Sequence, residues 1–187
     1  MELLHRLRIR NWGLLLKLII GRMTIRTSGV SSRLVGTSLH VTLLDYDSAI
    51  SDSRLREELV WLQMLFKIGN FIVLKSSEFG RHAICLDVLT ANEVVKIIKA
   101  SNCDEAFKMA PLINPFRSWV LRYCKKGNKE SPKYLFTVES PYEGEHLQSL
   151  GHANFLLENY GVKVELQQPF GTEDVETQTY YTNRKLK

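Results

Sequence analysis

Cysteine is scarce in this chain: Cys85, Cys103 and Cys124 are its three cysteines, widely spaced and without a Cys-x-x-Cys pair. That excludes a disulfide framework and a thiolate zinc site, and it points to a reducing compartment, so a cytoplasmic location is expected. Long apolar runs are also missing. The best stretch, Leu14-Leu15-Leu16 and Leu18-Ile19-Ile20, is broken by Lys17 and flanked by arginines. About ten apolar residues are too few to cross a bilayer, and a secretory signal needs a cleaner apolar core and a small-residue cleavage site. No membrane span is expected. No Gly-x-x-x-x-Gly-Lys-Ser/Thr loop occurs, which argues against an ATPase motor, and no His-x-His motif occurs, which sets aside a relaxase. Repeats and low-complexity tracts are likewise missing.

What is present suits one domain with a sizeable core: 187 residues, 44% of them apolar. The net charge of +5 is unevenly placed. Arg6, Arg8, Arg10, Lys17, Arg22, Arg26 and Arg33 face only Glu2 within residues 1–40, while the remainder is close to neutral. The basic balance is therefore a property of one end, not a signature of the whole chain. Residues 1–36 read as a basic amphipathic arm lying on nucleic acid or a partner, as a packed helix, or as sequence ahead of a true start at Met23. Residues 37–187 read as a single domain.

Along that domain, Leu39, Val41, Leu43 and Leu44 lead to Asp45 as a strand. Ser51-Asp52-Ser53 caps a helix whose apolar stripe is Leu55, Leu59, Leu62 and Phe66, with Gly69 as its stop. Phe71–Leu74 and Ala83–Val88 form a hairpin around the Ser76–Gly80 turn. Thr90-x-x-Glu93 is a capping box for a helix over about 91–101. Trp119–Leu121 and Tyr134–Val138 read as strands joined by the basic loop Lys125-Lys126-Gly127-Asn128-Lys129. A helix from about Glu145 to Tyr160, stopped by Gly161, precedes final strands at Val162–Leu166 and Thr177–Thr182. The order predicts an α+β fold, with an antiparallel or mixed sheet and helices packed on one face.

Chemistry concentrates in a few segments. Asp45-Tyr46-Asp47 closes the first strand, and side chains at i and i+2 of a strand share a face. Two adjacent carboxylates repel unless a cation lies between them, and Mg²⁺ or Mn²⁺ favours such oxygen ligands. The bland alternative is a turn or a helix cap. Ser77-Glu78-Phe79-Gly80-Arg81-His82 is a Ser/Gly turn whose N–H groups suit phosphate oxygens, with Lys75 and Arg81 beside it and His82 opening the next strand next to the aspartates. Asp104 is a third carboxylate or a helix N-cap. Arg117 and Arg122, with Lys125, Lys126, Lys129 and Lys133, suit a triphosphate or a nucleic-acid backbone, or form a solvated hairpin tip.

The order Asp45-Tyr46-Asp47, Ser77-Glu78-Phe79-Gly80-Arg81-His82, Cys103-Asp104 and then the arginines resembles the archaeo-eukaryotic primase superfamily, in its small viral and plasmid branch. The resemblance covers roughly residues 39–124. It implies an RNA-recognition-motif-like (RRM-like) catalytic core, with Asp45, Asp47 and Asp104 as metal ligands for Mg²⁺ or Mn²⁺. Ser77 and His82 would then be nucleotide contacts, with Gly80, Arg81, Arg117 and Arg122 lining the substrate. The implied function is DNA replication: joining nucleotide triphosphates on a single-stranded DNA template, with a replication-protein partner and a mobile-element context. Two readings compete with it. One is an inactive or accessory nucleic-acid binder that stacks bases on Tyr123, Tyr134, Phe136, Tyr180 and Tyr181; the other is a metal-dependent nuclease.

Overall fold

The computed structural model describes residues 22–113 and 118–185. In chain order these form β1 (Arg22–Ser31), β2 (Leu39–Tyr46), α1 (Asp52–Phe66), β3 (Phe71–Lys75), β4 (Arg81–Thr90), α2 (Ala91–Ala100) and α3 (Glu105–Ile113). There follow β5 (Val120–Arg122), β6 (Lys133–Val138), β7 (Gln148–Ser149), α4 (Leu150–Tyr160), β8 (Pro169–Phe170) and β9 (Thr177–Lys185). The fold is mixed α+β.

Local chemistry explains most boundaries. Ser51 Oγ accepts from Arg54 N–H and starts α1. Thr90 and Glu93 form the expected capping box, with Glu93 Oε2 accepting Thr90 N–H at 2.8 Å. Gly161, at φ 67°, closes α4. The end of α1 departs from expectation: Lys67, not Gly69, takes the left-handed conformation, at φ 52°. Gly69 is needed for space, because a Cβ there would lie 2.5 Å from Glu143 Oε2 and 2.9 Å from Asp87 Oδ1.

Two sheets form instead of one. In the larger, β4 is the centre: β2 runs antiparallel along one side, β3 and then β6 lie on the other, and β7 with β8 joins near Asp87. In the smaller, β1 lies between β5 and β9, antiparallel to both. They meet at Ser32, whose carbonyl accepts Val41 N–H and whose N–H donates to Trp119 O, both at 2.8 Å. The part of the basic N-terminal segment from Arg22 onward is thus a central strand, while residues 1–21 lie outside the described residues.

Two further differences have physical causes. The segments Trp119–Leu121 and Tyr134–Val138 do not pair with each other, because β5 finds β1 and β6 finds β3. Val162–Leu166 is no strand: Val162, Val164 and Leu166 pack against the core in alternation but have no ladder partner among the described residues. α3, nine residues long with Pro111 inside it, follows the Asp104 cap that the sequence offered as one alternative. It begins where Asp104 Oδ2 accepts Phe107 N–H at 3.1 Å. Among the described residues, no helix is long and apolar enough to cross a membrane.

Candidate functional site

Strand alternation sets the site's orientation. Tyr46 donates its hydroxyl to Glu58 Oε1 on α1 at 3.0 Å, so Tyr46 faces that helix and the preceding Asp45 faces away from it. The β2–β4 register places Asp45 opposite His82 and Tyr46 opposite Arg81. His82 Nε2 lies 3.4 Å from Asp45 Oδ1. Arg81, on the α1 side, donates its Nε to Asp52 Oδ1 at 2.9 Å. The structure therefore brings His82 to Asp45 and turns Arg81 away.

Asp104 comes to Asp45 through the backbone: its N–H donates to the Asp45 carbonyl at 2.7 Å. A buried clamp holds this approach. Glu58 Oε1 also accepts Asn102 N–H at 2.7 Å, and Glu58 Oε2 accepts Asn102 Nδ2 at 2.9 Å. One carboxylate on α1 thus ties the end of β2 to the segment leading into Asp104. Asp47 sits one residue beyond β2, exposed, with Lys129 Nζ 3.6 Å from its Oδ1.

The electrostatics follow from this crowding. Burial, then the charges of Asp47 and Asp104, raise the Asp45 pKa to about 7, against the opposing pull of Lys129 and Arg122. Burial, then Arg122 and Lys129, lower His82 to about 3, so its imidazole is neutral at pH 7. Asp45 Oδ1 and His82 Nδ1 are buried and make no hydrogen bond. A buried carboxylate oxygen that makes no hydrogen bond and has two acidic neighbours is where a cation would offset the repulsion.

The Ser76–Gly80 turn adjoins β2. Ser76 N–H donates to Gly80 O, and Gly80 N–H donates to Ser77 Oγ at 2.9 Å. Among the described residues, the N–H groups of Ser77, Glu78 and Phe79 have no hydrogen-bond acceptor. Gly80 is there for space: a Cβ would meet Ser76 Oγ at 2.6 Å and Ser77 Oγ at 2.7 Å. Arg122 serves this region as a post. Its Nη1 donates to the carbonyls of Cys124 and Glu130, and its Nη2 to that of Ser76. Being 8% exposed and so engaged, Arg122 positions the turn and the basic loop instead of presenting an open guanidinium. Arg117 lies outside the described residues.

Of the lysines in the basic loop, Lys129 is the one that reaches the acidic pair, through Asp47. Its only signal was membership of the basic run after Arg122. Of the aromatic candidates, Phe136 lies under Arg56 of α1 at 3.5 Å, and Tyr123 packs edge-on against Phe155. Tyr134 is exposed, while the side chains of Tyr180 and Tyr181 lie outside those described.

Among the described residues, no group of three or more His, Cys, Asp and Glu side chains is arranged to hold a metal ion. Asp104 is committed to its cap and Asp47 to Lys129. The donor set suits a hard cation held by Asp45 and Asp47 and completed by water and phosphate oxygens, as Mg²⁺ commonly is, more than a preformed protein cage. Comparison with family models, with curated proteins and with solved structures finds no match, so no family is assigned to this chain by similarity.

Proposed function

We propose that this chain is a primase-type nucleotidyltransferase that joins nucleotides on a single-stranded nucleic-acid template in DNA replication, in the cytoplasm and with a replication-protein partner. The observation that carries this reading is the 2.7 Å hydrogen bond from Asp104 N–H to Asp45 O, which sets the third acidic residue of the motif order beside the first pair. The register pair Asp45–His82 and the adjoining Ser/Gly turn add support. So does the run β2-α1-β3-β4-α2, whose strands lie side by side in the larger sheet in the order β2-β4-β3.

In this reading Asp45 and Asp47 hold Mg²⁺ or Mn²⁺, with Asp104 joining once its carboxylate leaves the α3 cap. Such ions supply activation of a 3′-hydroxyl and neutralisation of triphosphate charge. The protein's own groups do the rest. The N–H groups of Ser77, Glu78 and Phe79 bind phosphate oxygens, neutral His82 donates from its ring, and Arg122 holds the turn where those donors converge. Lys129 releases Asp47 and follows the phosphates. The test is incorporation of labelled nucleotide on a single-stranded template with Mg²⁺ or Mn²⁺. Asp45→Ala and Asp47→Ala should each abolish it, and full activity in either variant refutes the assignment.

A second reading is favoured by one observation: Lys129 and the α3 cap already engage Asp47 and Asp104. With those two carboxylates engaged within the chain, the alternative is a nucleic-acid binder that does no chemistry. Template binding that ignores divalent metal, with no incorporation, distinguishes it.

A further inference from the structure

The outer side of α1 is apolar where a solvent-facing helix side is ordinarily polar. Leu55, Leu59 and Leu62 line the inner side and are fully buried, whereas Val60, Trp61, Met64 and Leu65 are 46, 50, 54 and 53% exposed. At about 100° per residue these four fall on one stripe, roughly opposite the buried leucines. Exposed Glu57 stands at the N-terminal end of the stripe and exposed Lys67 at its C-terminal end. The helix is held firmly from one flank, where Arg56 lies over Phe136 and donates to Thr137 O. Contiguous apolar surface of this kind marks an interaction site.

The stripe is complementary to itself. Turned end for end about a two-fold axis between Trp61 and Met64, it sets Trp61 level with Met64 at the centre, with Val60 near its counterpart on one flank and Leu65 near its counterpart on the other. Glu57 then comes within about one residue rise, ~1.5 Å along the axis, of Lys67. Parallel copies would set Glu57 on Glu57. The antiparallel arrangement also opposes the two helix dipoles. We propose that a second copy of this chain docks on the Val60, Trp61, Met64 and Leu65 face, α1 against antiparallel α1, giving a two-fold homodimer. The same patch then faces itself on both copies, as an isologous interface requires. One helix face per copy is at the small end of stable interfaces, so dimerisation is concentration-dependent. The proposal is independent of the acidic site, which faces away from α1.

Sedimentation of the full chain over a range of concentrations tests it. A monomer–dimer equilibrium is expected, with Trp61→Glu raising the dissociation constant at least about tenfold. Glu57→Lys should weaken the dimer several-fold, and adding Lys67→Glu should restore it, because the swapped charges face each other again. Unchanged far-ultraviolet circular dichroism shows that these exposed positions leave the fold intact. A chain that stays monomeric at every soluble concentration overturns the proposal, including the case where a different protein covers this face. A dimer indifferent to Trp61→Glu, or one not restored by the double charge swap, overturns it as well.

Discussion

The backbone N–H of Asp104 donates to the backbone carbonyl of Asp45, joining the start of α3 to the end of β2. Because the link is between main chains, it survives side-chain changes at either position that keep the N–H of residue 104. Asp104→Asn keeps a good helix cap and should alter stability by less than about 0.5 kcal/mol in urea unfolding. The same variant should lose metal-dependent nucleotide incorporation, which separates a chemical role of the carboxylate from its capping role.

Lys129 Nζ lies 3.6 Å from Asp47 Oδ1, and under the proposed function it competes with a divalent cation for that carboxylate. The pair is about half exposed and contributes no more than about 1 kcal/mol. Lys129→Met should therefore leave the unfolding midpoint nearly unchanged while tightening Mn²⁺ binding, read by titration calorimetry without nucleotide. Mn²⁺ binding equal in the variant and the parent chain counts against a cation site at Asp45 and Asp47.

Arg122 anchors three carbonyls from two segments. Arg122→Ala strands buried acceptors and should cost about 3 kcal/mol. Arg122→Lys should recover little, since an ammonium lacks the planar fork that reaches both segments. Hydrogen exchange should quicken in the Ser76–Gly80 turn and in residues 124–130 before it does elsewhere.

Gly80→Ala should cost about 1–3 kcal/mol, because the new methyl group displaces the two serine hydroxyls packed against Gly80. Combining it with Ser77→Ala opens space and should recover part of that loss in thermal unfolding. Equal stability of Gly80→Ala and the parent chain would show that the turn relaxes freely.

His152 sets an acid limit. Its Nε2 meets Ser31 O and its Nδ1 meets Ser149 Oγ, each at 2.8 Å, tying α4 to β1. Burial lowers its pKa to about 4, with His40 adding to the drop and the Ser31 carbonyl opposing it. A folded-state pKa below the unfolded value of 6.5 means that the unfolded chain takes up the proton first. Stability from this group is therefore complete above pH 6.5 and lost as pH falls toward 4, by about 3 kcal/mol. His82 and His40 act in the same direction, whereas Asp45 and Asp87, with raised values, act in the opposite one. The readout is thus the difference between His152→Gln and the parent chain in urea at pH 7 and pH 5, which should shrink or reverse at the lower pH.

Local chemistry made much of this molecule legible. The Thr90/Glu93 capping box, the Ser51 cap and Gly161 are short-range devices whose partners lie within four residues, so spacing alone reveals them. The hairpin of β3 and β4 was readable from its turn, and with it the closeness of His82 to the end of β2. Gly69 misled because the same residue type serves conformation and space, and only the neighbouring Asp87 and Glu143 decide which.

By itself the sequence determined where chains of hydrogen bonds start and stop, which strand ends in carboxylates, and that an acidic pair would stand near a Ser/Gly turn. Tertiary structure alone decided that Trp119–Leu121 joins β1, that Arg81 turns toward α1 while Arg122 binds carbonyls, and that Asp104 reaches Asp45 through the Glu58–Asn102 clamp. The physical reason is range. Caps and turns are set by neighbours along the chain, whereas strand partners and buried polar clamps are set by whichever distant groups leave no donor or acceptor unpaired once the core has closed.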